Sequence, residues 1–140
     1  MQIHGSCASK DSAGVLLIGP PGSGKSDLVL RLRSHGFDLV ADDRVDITDG
    51  IARPPRALAG LLEVRGLGIF RLPYVTQARV ALVVDLTALA PRLPMPERHA
   101  DLNLPLVRID AGLASATERI VLALNAVLGR ADQVVGAVVV

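Results

Sequence analysis

Apolar residues fall into two kinds of run along this chain. Val15-Leu16-Leu17-Ile18 and Val80-Ala81-Leu82-Val83-Val84 are unbroken, as in strands buried on both faces. Before the first, Gln2 to Ala8 reads as a short strand and Lys10 to Gly14 as a turn. From Ser26 to Ser34 the spacing turns helical, with Leu28 and Leu32 on one face and His35-Gly36 as the stop. Phe37 to Ala41 then closes a predicted strand-helix-strand unit. Val45 to Ile51 predicts a hairpin turning at Thr48-Asp49-Gly50, and Arg53-Pro54-Pro55-Arg56 a loop. Leu61 to Val64 reads as a strand stopped by Gly66 and Gly68. Pro91 to Asn103, rich in proline and charge, reads as a surface loop, and Leu106 to Ile109 as a further strand. Ala114 to Leu128 has helical spacing, with Ser115 and Glu118 placed as a capping box. The closing Val134 to Val140 is apolar and β-prone. No internal repeat interrupts this order, so a single α/β domain over 1–140 is expected.

Composition narrows the possible partners. A chain of 140 residues, half of them apolar, can bury its own core. Aromatics are only 2%, so aliphatic side chains must supply the packing and base stacking is a poor basis for activity. Fifteen basic and 14 acidic residues leave a net charge of +1. That balance makes no case for nucleic acid or a membrane surface, so an anionic ligand must be held by a local site. The single cysteine, Cys7, admits no internal disulfide and reads as a small buried side chain. No apolar run reaches the length of a membrane span and no secretory signal is visible, which makes the cytoplasm the expected location.

The chemistry begins at Gly19-Pro20-Pro21-Gly22-Ser23-Gly24-Lys25-Ser26, which meets every fixed position of G-x-x-x-x-G-K-[ST]. It follows a buried strand and opens a helix. In that setting a glycine turn aims backbone N–H groups inward at the positive end of a helix, where they can hold phosphate. Lys25 supplies a charge for the outer phosphates and Ser26 a hydroxyl suited to Mg²⁺. Phosphoryl transfer also needs metal ligation and a base. Two acidic positions qualify: Asp42-Asp43 after the Phe37–Ala41 strand, and Asp85 after Val80–Val84. In an extended chain only one of the adjacent pair would face the phosphates. Glu63 and Arg65, two apart in a strand beside glycines, read either as a metal ligand and a phosphate contact or as an edge-strand ion pair. No Asn-Lys-x-Asp guanine signature occurs.

His4-Gly5, the Gly19–Ser26 loop, Leu39-Val40-Ala41-Asp42-Asp43 and Glu63-Val64-Arg65-Gly66-Leu67-Gly68 together resemble the catalytic domain of bacterial HPr kinase/phosphorylase, over residues 2 to about 72. The resemblance implies an α/β, P-loop-containing, phosphoenolpyruvate carboxykinase-like mixed sheet with flanking helices. It also implies an ATP- and Mg²⁺-dependent kinase that phosphorylates a serine of the phosphocarrier protein HPr and so regulates the phosphotransferase system. Asp43 is the best match for the base and Asp42 the second. Lys25 and His4 match active-site positions, Ser26 and Glu63 the metal ligands, and Arg92 an active-site arginine. The chain starts near the catalytic strand, like the short alphaproteobacterial form without the N-terminal domain of long members. Those are hexamers, and a homo-oligomer is implied only as far as the elements that build it are shared. Where long members carry a stretch linked to dephosphorylation, this chain reads Pro105-Leu106-Val107-Arg108-Ile109-Asp110, so kinase activity without efficient phosphorylase activity is expected. The competing readings are a nucleoside-monophosphate-type small-molecule kinase and a non-catalytic nucleotide-sensing module.

Overall fold

The computed structural model describes residues 1–87 and 89–138. Strands β1 (Gln2–Lys10) and β2 (Ala13–Ile18) form a hairpin turning at Asp11 and Ser12, both at positive φ. That handedness matches the twist of the flanking strands. Helix α1 (Lys25–Arg33) and β3 (Asp38–Ala41) follow, then β4 (Arg44–Thr48) and β5 (Ile51–Arg53), which turn at Asp49-Gly50. β1 pairs antiparallel with β2 on one side and with β3 and β4 on the other. The strand-helix-strand unit read from the sequence is therefore split: β2 and β3 run parallel, with β1 between them. A local pattern does not reveal that a preceding strand occupies the gap.

β8 (Ala78–Asp85) pairs with β2 in parallel and with β5 antiparallel. The pairings β2–β1–β4–β5–β8–β2 thus close on themselves. Cys7, Leu16, Val45, Ile47, Val80 and Val83 belong to one core cluster. Their strand neighbours Ala8, Val15, Leu17, Leu82 and Val84 belong to the other, packed with Leu28 and Leu32 of α1 and Ile120 and Leu124 of α2 (Ala116–Val127). Successive strand residues point to opposite faces, so burial of both faces is why these runs are apolar without alternation. β8 also carries β10 (Pro105–Arg108) in parallel, edged by the two-residue β9 (Glu97–Arg98). Burial pushes the Cys7 thiol up to about 12. We expect thiol reagents to leave Cys7 unlabelled in the native protein at mildly alkaline pH and to label it once denaturant is added, read by mass spectrometry.

The Leu61–Val64 strand (β6) stops at the bounds read from the sequence, but the chain then turns through Arg65-Gly66-Leu67 into β7 (Gly68–Arg71), which was not expected and makes a two-stranded hairpin outside the main sheet. Two local expectations are corrected. The Ser115–Glu118 capping box is not formed: Ser115 Oγ accepts from Arg119 Nε, and Glu118 accepts from the Thr117 hydroxyl. The Val134–Val140 segment makes no strand over its described part; Ala137 and Val138 pack on the core while Val134 and Val135 are exposed. Val139 and Val140 lie outside the described residues. Among the described residues no helix is long and apolar enough to cross a membrane.

Candidate active site

The loop from Gly19 to Ser26 joins the end of β2 to α1. Gly19, Gly22 and Gly24 all have positive φ, and a Cβ on Gly24 would stand 3.0 Å from that of Ala111. Glycine is needed there for both backbone and space. No side chain caps α1, so the loop leads directly to its N-terminal N–H groups, the positive end of the helix. Lys25 Nζ donates to the carbonyls of Gly19 (2.7 Å) and Pro20 (2.9 Å). Burial lowers its pKa from the ordinary lysine value, opposed by the charges of Asp43 and then Asp42.

The aspartate pair occupies the end of β3, and its members differ in almost everything. Asp42 is buried. Its Oδ1 accepts from the hydroxyls of Ser6 and Ser26, both at 2.7 Å, and its Oδ2 from the backbone N–H of Glu63 at 3.3 Å. One carboxylate thus ties together β1, α1 and β6. Asp43 is exposed, with φ of 69°, at the centre of a three-residue turn closed by Arg44 N–H on the Asp42 carbonyl (2.8 Å). The left-handed turn replaces the extended chain expected from sequence, so alternation of faces does not apply. Left-handed conformations outside glycine cost energy and cluster at functional sites.

A groove of about 390 Å³ lies between Gly22, Gly24, Lys25 and Ser26 on one wall and Asp43, Glu63 and Arg65 on the other. Ser6 also lines it. Sequence reasoning missed Ser6, whose hydroxyl does not stand out in a strand that also carries Gln2, His4, Ser9 and Lys10. His4 is exposed two residues earlier on β1, opposite Arg44, and falls outside the groove lining. Gly5 between them has a steric reason: a Cβ there would stand 2.7 Å from the Leu17 carbonyl oxygen. Arg92 is not brought to the groove. It lies on the loop after β8 and lines a separate depression with Arg119 and Leu122 of α2. Asp85, the other acidic position, is bound by Arg108 (3.1 Å), which also binds Glu97 (3.0 Å). Glu63 and Arg65 form no ion pair with each other among the described residues.

The donors available to a metal are hard oxygens: the Ser26 hydroxyl, whose proton is directed to Asp42, and the exposed Glu63 carboxylate. Among the described residues no group of three or more His, Cys, Asp or Glu could cage an ion. A sparse oxygen set fits Mg²⁺, which keeps waters and takes further ligands from phosphate.

Known proteins are similar to this chain in sequence and architecture. A family model described as the HPr Serine kinase C-terminal domain matches residues 1–94. An HPr kinase/phosphorylase of Lactobacillus delbrueckii subsp. bulgaricus is 36% identical over 97 residues, covering 61% of this chain and 31% of the relative. That of Clostridium beijerinckii is 44% identical over 72 residues, covering 49% of this chain and 24% of the relative. The chain therefore spans a third or less of the length of these curated relatives. The solved structure of the HPr(Ser) kinase/phosphatase from Coxiella burnetii matches with a TM-score of 0.74 and 26% identity, over 92% of each chain. The mixed α/β architecture is shared with that structure, and the matched residues hold the glycine loop, the aspartate pair and the β6–β7 hairpin: this chain belongs to the HPr serine kinase C-terminal domain family.

Proposed function

We propose that the protein is an ATP- and Mg²⁺-dependent kinase that phosphorylates a serine of HPr, and through it regulates the phosphotransferase system. The observation that carries this reading is the division of labour in the aspartate pair. Asp42 is engaged by three donors, whereas the Asp43 carboxylate accepts no hydrogen bond among the described residues, meets only the neighbouring Arg44 guanidinium at 3.9 Å, and lines the same groove as Lys25 and Ser26. A serine hydroxyl is a weak nucleophile near neutral pH, and a carboxylate within reach that takes its proton makes attack on the γ-phosphorus easier. Asp43 is the group placed for that. Its proton comes from the acceptor hydroxyl, the new bond joins serine oxygen to phosphorus, and ADP departs with the old bridging oxygen.

The remaining residues hold and orient. Backbone N–H groups of the Gly19–Ser26 loop and the α1 N-terminus would bind the donor phosphates, with Lys25 on the outer ones. Ser26 and Glu63 would hold Mg²⁺, which neutralises charge on the transferred group. Asp42 fixes the Ser26 hydroxyl so that an oxygen lone pair remains for the ion. His4 flanks the acceptor side. Arg65 lines the groove, whereas Arg92 lines a separate depression. The Pro105–Asp110 stretch departs from the pattern linked to dephosphorylation, so the forward reaction should dominate.

The direct test incubates the protein with labelled ATP, Mg²⁺ and purified HPr, beside an HPr whose acceptor serine is alanine. Label on the serine form alone is the expected result. Nucleotide binding without transfer would leave a sensing module in place of a kinase.

A further inference from the structure

The β6–β7 hairpin stands outside the main sheet and has two unlike faces. Leu62 is fully buried and Val64 packs on the core, so that side anchors it. On the other, Glu63 opposes Ile69 and Leu61 opposes Arg71. Ile69 is 71% exposed and Leu67, in the turn, 75%. The turn glycines are there for conformation: Gly66 and Gly68 have positive φ, and nothing lies within 4 Å of a Cβ on either. The turn thus presents Leu67, and the strand beside it Ile69, to solvent.

Single exposed apolar residues are ordinary, so position must give these their meaning. Val64 and Arg65 of the same hairpin line the groove with Asp43, and the Glu63 N–H binds Asp42. The hairpin is thereby fixed as the rim of the site. A groove of about 390 Å³ has room for phosphates and an ion but not for a folded protein. An acceptor protein that brings a hydroxyl to Asp43 must rest on the rim. The rim's charge is cationic: Arg65 and Arg71 are exposed and have no ion-pair partner among the described residues, against the one carboxylate of Glu63.

Resting on the protein-kinase reading above, we infer that the outward face of the β6–β7 hairpin docks the acceptor protein, and that it selects a serine set in an apolar patch edged by carboxylates. Leu67 and Ile69 meet the apolar patch, and Arg65 and Arg71 meet the acids. This surface would sort substrates by affinity and leave the transfer step to the groove.

The test is a Leu67→Ser/Ile69→Ser double variant, chosen because both side chains lie in solvent and carry no fold. HPr affinity is measured by titration and transfer by labelled ATP. We expect KM and Kd for HPr to rise about tenfold, with ATP affinity and kcat at saturating HPr unchanged. Arg71→Glu should also weaken HPr binding, by an amount that shrinks as salt is raised. Wild-type behaviour of the double variant toward an HPr that the native protein phosphorylates overturns the dock and leaves the kinase standing. Hairpin-dependent binding of HPr without transfer sinks the kinase reading and keeps the dock. A native protein that neither binds nor phosphorylates HPr overturns both.

Discussion

Asp43→Asn should lower phosphoryl transfer to HPr by about 10²- to 10⁴-fold and leave ATP affinity close to that of the native protein, measured by labelled transfer and by nucleotide titration. Asparagine keeps the size of the side chain and tolerates the left-handed backbone that this turn requires. The Asp43 carbonyl still accepts from Gly5 N–H, so β1 stays in place. What is lost is a group able to take a proton. Asp42→Asn should behave differently. Its amide would present N–H where Ser6, Ser26 or Glu63 also donates, and an unsatisfied buried group costs about 1–3 kcal/mol. Thermal or denaturant unfolding should therefore register Asp42→Asn and not Asp43→Asn. If Asp42→Asn is inactive at native stability while Asp43→Asn still transfers phosphate, the base has been assigned to the wrong member of the pair.

The two aspartates also mark how far sequence reasoning reaches. The strand ends at Ala41 and Asp85 were legible because burial on both faces leaves an unbroken apolar run, and the helix spanning Ala116–Val127 because its spacing is regular. The glycine loop was legible because its geometry demands particular residues at fixed spacing. Long-range pairings were not. That β1 inserts between β2 and β3 depends on register across about 30 residues of chain, which no local pattern encodes. The same limit hid Ser6, whose role exists only because β1 passes beside β3 and brings its hydroxyl to Asp42. Arg92 lines a different depression from the glycine loop for a related reason: a position before a strand says nothing about which side of the sheet its loop crosses. The β7 strand was missed because Gly68 reads as a stop, and only its pairing with Val64 shows that it opens a second strand.

Lys25→Ala should cost about 10²- to 10³-fold in kcat and weaken ATP binding as well, whereas at neutral pH Asp43→Asn affects transfer alone. The resting lysine already has a job: its ammonium closes the loop by donating to the Gly19 and Pro20 carbonyls. A donor phosphate must draw at least one of those bonds away, so the loop is set by the same group that later meets the ligand. Alanine removes both functions, and a loop that loses its closure presents its N–H groups less well. Protonation supplies a second readout. Burial lowers the Lys25 pKa, and only the charged form serves phosphate, so ATP affinity should fall with rising pH earlier than an ordinary lysine would allow. Asp43 opposes that shift by its negative charge, more than Asp42 does. Asp43→Asn should therefore move the alkaline limit of ATP binding to still lower pH while affinity at neutral pH is kept. An alkaline limit that stays put in Asp43→Asn, or ATP affinity and turnover untouched in Lys25→Ala, would mean that Lys25 does not bind the donor.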